Sequence, residues 1–307
     1  MKFIRNIDEM PRENVVLTIG FFDGVHCGHR YLIDYVRKIA CEKQLKSAIL
    51  TFWPHPRMVL HEKYQPKLLN TNDEKIGLIE TLPIDYCIQI PFTQLLSSLS
   101  AYEFMSVLKT KLHVCQLIIG YDHRFGHNRE EGFEQYCEYG KLLHINVVKA
   151  PVYEQDGRSI SSSYIRSLIL SSEIKKANSF LGYEYELTGR VGCGKKLGRT
   201  LGFPTANLIP DSEYKIIPAA GVYAVRVEYE GKVYQGVTCV GDCPTLGSDN
   251  RTTIETNLFD FDEVLYGREI SLRFVDYIRP LQKFPTLEDL RCAMIKDAEQ
   301  AKKRLER

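Results

Sequence analysis

From residue 15 to about residue 150, short apolar runs alternate with longer amphipathic segments. VVLTI (15–19), SAILTF (47–52), DYCIQI (85–90), QLIIG (116–120) and INVVKA (145–150) are rich in β-branched residues and almost continuously apolar. That is the pattern of strands buried on both faces. Between them, 29–43, 72–82, 100–112 and 130–143 have helical spacing. In the third, Tyr102, Met105, Leu108 and Leu112 share one face, and Ser100 with Glu103 forms a capping-box start. Strand–helix alternation of this kind predicts a parallel sheet with helices on both faces, whose ligands bind beyond the carboxyl ends of the strands. A second helical region is expected over about 161–182, opened by three serines and closed by a cap at Gly182.

After Tyr183 the period shortens to two. YELTGRV, GVYAVRVEYE, KVYQGVTCV, TTIETNLF and EISLRFVDYI alternate apolar and polar positions and are separated by turns. Glu230-Gly231 between two such runs predicts a hairpin. A small antiparallel β-barrel follows from this grammar. A last helix is expected from Leu287 to near Leu305, capped by Thr286 and Asp289, with Leu287, Leu290, Met294, Ala298 and Leu305 as its apolar stripe. The expected fold class is thus α/β plus β, divided into 1–182 and 183–307.

The length of 307 residues suits two domains. A net charge of +1 gives no global field that selects nucleic acid, so no nucleic-acid partner is expected. No apolar run approaches the roughly 20 residues of a membrane helix, and the N-terminal MKFIRNIDEMPREN has no signal-peptide core. A cytoplasmic protein without membrane partners is expected, with room for weak self-association. The nine cysteines contain no CxxC pair, which reads as free thiols in a reducing compartment. All eight histidines lie between His26 and His144, so any imidazole chemistry belongs to the first domain.

TIGFFDGVHCGHR, residues 18–30, follows the first strand. Gly20 and Gly24 permit a tight exit with close backbone approach to a ligand. Gly28 lies where a helix would begin, and a helix N-terminus attracts anions. His26 and His29 flank that place, where imidazoles can donate hydrogen bonds to phosphate oxygens. Zinc ligation by His26, Cys27 and His29 is an alternative, without a second ligand cluster to support it. Ordinary loop histidines are another.

GFFDGVHCGH resembles the signature of the nucleotidyltransferase superfamily whose loop reads HxGH. TFWPHP (51–56), GYDHRFGHNREEG (120–132) and ISSSYIR (160–166) resemble further motifs of one branch, the adenylyltransferase module of bifunctional bacterial riboflavin kinase/FAD synthetases. The resemblance implies a Rossmann-like nucleotidyltransferase domain in which His26 and His29 hold ATP phosphates as catalytic groups. Gly20, Phe22, Asp23, Gly24 and Gly28 would form the ATP loop, and Ser162 and Arg166 would contact the triphosphate. His55, Asp122 and Arg124 would line the adenine and flavin side. A surface ion-pair partner is the lesser alternative for Arg166, whereas His55 reads equally as part of a proline-flanked turn. Two positions depart from the family pattern: His123 stands where Phe is usual, and Tyr164 where Arg is usual.

GRVGCGKKLGRTLGFPTANL (189–208) is the second dense stretch. Its glycines allow a loop whose N–H groups can cradle phosphates, with Lys195, Lys196 and Arg199 adding charge. Thr205 and Asn207 supply hard oxygen ligands suited to Mg²⁺. A long turn between strands is the plainer alternative. The stretch resembles the GRxLGFPTAN motif of riboflavin kinases, and AAGVYAV (219–225), IETNLFDFDEVLYG (254–267) and IRPLQKF (278–284) keep the family order. The resemblance implies that Gly194, Lys196, Gly198, Arg199, Thr205 and Asn207 bind Mg·ATP. It makes Glu255 the base that takes the riboflavin hydroxyl proton, with Arg279 beside the flavin. Taken alone, Glu255 would pass for a solvated strand residue. The family usually has NIGxRPT where this chain has Cys239 to Thr245, with cysteines at 239 and 243 for the usual Asn and Arg. Leu281 replaces a Glu.

The resemblances together imply a two-step maker of flavin cofactors. Riboflavin is phosphorylated by ATP to FMN, and FMN is adenylylated by a second ATP to FAD and pyrophosphate, with Mg²⁺ as cofactor. Two rivals stand beside this: an FMN adenylyltransferase with a weak kinase module, and a non-catalytic flavin- or nucleotide-binding regulator.

Overall fold

The structure, a computed structural model, describes residues 1–60, 66–121, 123–127, 130–193, 202–241 and 252–306. Compactness divides the chain into Met1–Ser161 and Ser162–Arg307.

In the first unit, β1 (Lys2–Ile4) precedes β2 (Val15–Ile19), α1 (Cys27–Glu42), β3 (Lys46–Trp53), α2 (Pro56–Leu60) and α3 (Asn72–Glu80). Then come β4 (Tyr86–Pro91), α4 (Gln94–Ser98), α5 (Ala101–Leu112), β5 (Val114–Ile119), α6 (Phe133–Leu143) and β6 (Asn146–Lys149). The six strands form one sheet in the order β1-β4-β3-β2-β5-β6, and every pairing is parallel. β2 shows why its sequence is apolar throughout: all five residues are buried. Val15, Leu17 and Ile19 join the core that includes Met105 and Leu108 of α5. Val16 joins a second core on the other side, with Val36 and Ala40 of α1. Strand order reverses at β2, so the crevice beyond the carboxyl ends of β2 and β5 is the topological switch point, where open α/β sheets bind ligands. A small hairpin, β7 (Glu154–Gln155) and β8 (Arg158–Ser159), closes this unit.

The second unit opens with α7 (Ser162–Leu170) and α8 (Ile174–Leu181). The strands are β9 (Tyr185–Gly192), β10 (Ala206–Pro210), β11 (Gly221–Tyr229), β12 (Lys232–Gly241), β13 (Thr253–Leu258) and β14 (Glu269–Arg279). They close an antiparallel barrel in the order β10-β13-β12-β11-β14-β9. The Glu230-Gly231 turn joins β11 to β12 as expected, with positive φ at both residues. α9 (Leu287–Leu305) lies on the outside of the barrel, where Ala298, Ala301 and Leu305 pack with Phe259, Val237 and Val275.

Two expectations, the buried placements of Tyr102 and Leu287, differ from what the structure shows, and two further features stand beside them. The compactness division comes before residue 182, because α7 and α8 pack on the barrel: the Asn178 amide donates to Phe274 O at 2.8 Å and accepts from Tyr185 N at 2.9 Å. Tyr102 is exposed and meets Tyr139 edge-on; Ala101 and Phe104 complete the buried face of α5. Leu287 is also exposed, since α9 settles on the barrel only in its second half, where Asp297 joins Ala301 and Leu305 as a buried residue. β1 adds a short edge strand whose three residues carry no readable period. Among the described residues, no helix is long and apolar enough to cross a membrane.

Candidate active sites

The first site is built on the loop from Gly20 to His29, at the switch point. The Gly20 N–H bonds Leu50 O at 3.0 Å, carrying sheet geometry one residue past β2. The chain then turns sharply: Phe22, Gly24 and Val25 all have positive φ, a strained conformation for the two non-glycine residues. Three ties hold it. Asp23 is buried and accepts N–H bonds from Leu69 (3.0 Å) and Asn70 (3.3 Å). The Phe22 ring meets His29 edge-on at 5.2 Å. Arg30 Nε donates to Val25 O at 3.0 Å.

His26 is the N-cap of α1, and its Nδ1 accepts the His29 N–H at 3.3 Å. In the neutral ring that accepting role places the imidazole proton on Nε2. A Cβ at residue 28 would press on the His26 ring at 3.3 Å, which accounts for Gly28. The rings of His26 and His29 stack at 3.6 Å, 15° from parallel. His29 Nδ1 is buried without a hydrogen-bond partner among the described residues. Burial, then the neighbouring charges of His26 and His123, hold its pKa well below the ordinary histidine value. Two stacked imidazoles at the positive end of α1 can therefore donate to an anion. Among the described residues, no group of three or more His, Cys, Asp or Glu side chains is placed to hold a metal ion, zinc included.

The loop after β5 brings His123 close enough to act on His29. Phe125 fixes that loop: its ring stacks on Tyr136 at 4.2 Å, and its N–H and C=O both bond the Tyr136 hydroxyl. His123, a departure from the expected motif, lies near enough to His29 to lower its pKa. Arg124 is exposed; Asp122 is outside the described residues. His55 follows the cis Trp53–Pro54 bond and faces Phe21 edge-on at 4.3 Å, while its Nδ1 accepts the Arg57 N–H. Ser162 and Arg166 lie on α7, in the second compact unit. In that unit Tyr164 rests against Phe180.

The second site lies on the outer face of the barrel. Asn207 of β10 pairs with Glu255 of β13, and Glu255 with Cys239 of β12. Directly opposed residues share a face, so the three side chains form one cross-strand row. Their neighbours Ile254, Thr256 and Val240 are buried in the barrel, which puts the row outside. Thr205 sits one residue before β10 and is half-buried. Gly194, Lys196, Gly198 and Arg199, with Lys195, lie outside the described residues, as do Asp242 to Thr245. Arg279 ends β14. Its guanidinium forms a two-point ion pair with the buried Asp297 of α9, at 2.8 and 2.7 Å, and also bonds Pro280 O. It borders a cavity of about 470 Å³ that Phe284, Cys292 and Lys296 also line. Leu281 approaches Gly241.

Sequence reading missed Lys75 and His123 as site neighbours. Lys75 is on α3, outside every motif; His123 stood out only as a mismatch.

Two family models match the chain: FAD synthetase over residues 8–164 and riboflavin kinase over residues 181–305. A bifunctional riboflavin kinase/FMN adenylyltransferase of Bacillus subtilis is 37% identical over 291 residues, covering 93% of this chain and 91% of that protein. Its namesake from Listeria monocytogenes is 35% identical over 292 residues, with 94% and 92% covered. The namesake from Escherichia coli K12 is 34% identical over 302 residues, with 97% and 96% covered. A crystal structure described as a macrolide-efflux protein from Streptococcus pneumoniae superposes with a TM-score of 0.85 at 28% identity, covering 97% of both chains. Stacked imidazoles at the switch point of a parallel sheet and an Asn–Glu row on a barrel, in this order and over this length, fit those matches: the chain belongs to the bifunctional riboflavin kinase/FMN adenylyltransferase family.

Proposed function

We propose that the chain makes flavin cofactors in two ATP-dependent steps, with residues 183–307 as the kinase and residues 1–182 as the adenylyltransferase. In the first step the riboflavin 5′-hydroxyl attacks the γ-phosphorus of ATP; the O–P bond forms, ADP leaves, and Glu255 takes the hydroxyl proton. The cross-strand row supports this role by putting a carboxylate beside Asn207 on an accessible barrel face. The Thr205 hydroxyl and the Asn207 carbonyl oxygen are hard oxygen donors, which fit Mg²⁺. When bound there, Mg²⁺ would neutralise charge on the ATP phosphates. Gly194, Lys196, Gly198 and Arg199 complete the proposed ATP loop. Arg279 orders the flavin side through its bridge to Asp297.

In the second step an FMN phosphate oxygen attacks the α-phosphorus of another ATP, and pyrophosphate leaves. His26 and His29 donate to the phosphates as charge builds there, with Gly20, Phe22, Gly24 and Gly28 shaping the loop and Asp23 fastening it. Ser162 and Arg166 belong to the triphosphate grip, and His55, Asp122 and Arg124 to the adenine and flavin side. No protein nucleophile is needed; positioning and charge stabilisation carry phosphoryl transfer. The observation that carries this reading is the stacked His26–His29 pair capping α1.

The test is riboflavin plus Mg·ATP with the purified protein, products separated over time. FMN and then FAD are expected. His29→Ala stops FAD formation while FMN accumulates, and Glu255→Gln stops FMN formation while supplied FMN is still converted. Loss of both activities in either variant contradicts separate sites.

A further inference from the structure

Burying a charge costs free energy unless its surroundings offset it. Lys75, on α3, is only 2% exposed. Its ammonium donates to Thr51 Oγ1 at 3.2 Å and to Phe52 O at 3.1 Å. It also lies 4.3 Å from the centre of the Phe21 ring and 6.0 Å from that of Trp53. Thr51 passes the connection on, its hydroxyl donating to Phe21 O at 3.2 Å. One ammonium therefore grips Phe21 by its ring directly and by its backbone through Thr51. Phe21 follows Gly20 in the loop that ends at His26 and His29, and its ring is the surface against which His55 stands. The turn leading into α3, at Leu69 and Asn70, holds Asp23 of the same loop. α3 and its leading turn thus clamp the loop at two points.

We propose that Lys75 is a positioning residue for adenylyl transfer: its ammonium, acting through Thr51 and the Phe21 face, sets the phosphate loop and the His55 wall in register. The proposal rests on reading this site as the FMN adenylyltransferase centre. Burial, partly opposed by the Asp23 carboxylate, brings the Lys75 pKa down to about 8. The titratable groups facing it are Asp23 from the loop, Cys87 from β4 and, across the Phe21 ring, His55. Cys87 stays a neutral thiol over this range, burial pushing it up to about 12. As pH rises through about 8 the ammonium loses its proton and with it the attraction to the aromatic faces. Adenylylation then falls on that limb, and the kinase step does not follow it.

The experiment measures FAD formation from supplied FMN and Mg·ATP over roughly pH 6.5 to 9.5, in wild type, Lys75→Met and Lys75→Arg. Cooperative thermal unfolding of the first unit in the same samples reports an intact adenylylation domain, and riboflavin phosphorylation reports the second unit. Lys75→Met is expected to lower kcat for adenylylation roughly 10- to 100-fold, the range of a small misplacement, with KM for ATP little changed. Lys75→Arg keeps activity and loses the alkaline limb, because guanidinium stays charged. A Met variant with wild-type kcat, an Arg variant that keeps the limb near pH 8, or an Arg variant inactive in adenylylation alone each overturns the proposal. Wild type that makes no FAD from FMN would instead remove the reading on which it rests.

Discussion

His29 is held neutral in the free protein by burial first and by the neighbouring imidazoles second. An ATP tail brought beside it reverses the balance, since nearby negative charge favours the protonated ring. Binding should then draw a proton from solution at a pH near the ordinary histidine value of about 6.5. Calorimetry of ATP binding in buffers of different ionisation enthalpy measures that uptake, and His29→Asn should lower it. Equal uptake in both proteins would show that His29 does not meet the phosphates. The same shift bears on stability. A pKa lowered by folding means the unfolded chain binds more protons, so stability is full above about pH 6.5 and falls as pH drops toward the folded value. At this scale the residue types of the site were legible in the sequence, because HxGH after a buried strand is dense local chemistry. The stacking of the two rings was not. It depends on the N-cap geometry of His26 and on positive φ at Phe22 and Val25, which no side-chain pattern announces.

At the scale of elements, the barrel site depends on how closely β10 lies on β9. Gly189 of β9 pairs with Pro210, and a Cβ there would collide with the carbonyl oxygen of Ile209. Gly189→Ala must push β10 outward, a strain of roughly 1–3 kcal/mol by analogy with overpacked cores. β10 carries Asn207, so the displacement reaches the row with Glu255. Riboflavin phosphorylation should fall severalfold while conversion of supplied FMN to FAD is unchanged; unchanged kinase kinetics would disconnect β10 from that site. Long periodic elements were readable because burial on both faces leaves a run such as VVLTI. The five-residue helices α2 and α4 are too short to show a period. Tyr102 misled because helical spacing fixes which residues share a face; the neighbours decide where burial stops. Lys75 was invisible for a related reason: its partners Thr51 and Phe21 come from β3 and the loop after β2, and only the sheet order brings them to α3.

At the scale of the whole molecule, the question is where the kinase unit begins. The change of grammar after Tyr183 and the riboflavin kinase match from residue 181 place its start near there, whereas compactness places it at Ser162. Chain packing decides which boundary gives a stable fragment. Ile165, Ile169, Ile174, Phe180 and Leu181 are fully buried in α7 and α8, and Ala219 N–H bonds Ile169 O in the same unit. A fully buried residue of this size contributes about 1.5–3 kcal/mol as an upper estimate, so the group outweighs much of a domain's stability of about 5–15 kcal/mol. Fragment 162–307 should therefore fold cooperatively and phosphorylate riboflavin. Fragment 183–307, stripped of both helices and of the Asn178 bonds to Phe274 and Tyr185, should melt at a much lower temperature or aggregate. Thermal unfolding and the kinase assay on the two fragments distinguish the boundaries. If 183–307 is as stable and as active as 162–307, the two helices are passengers on the barrel and the boundary read from the sequence is the physical one.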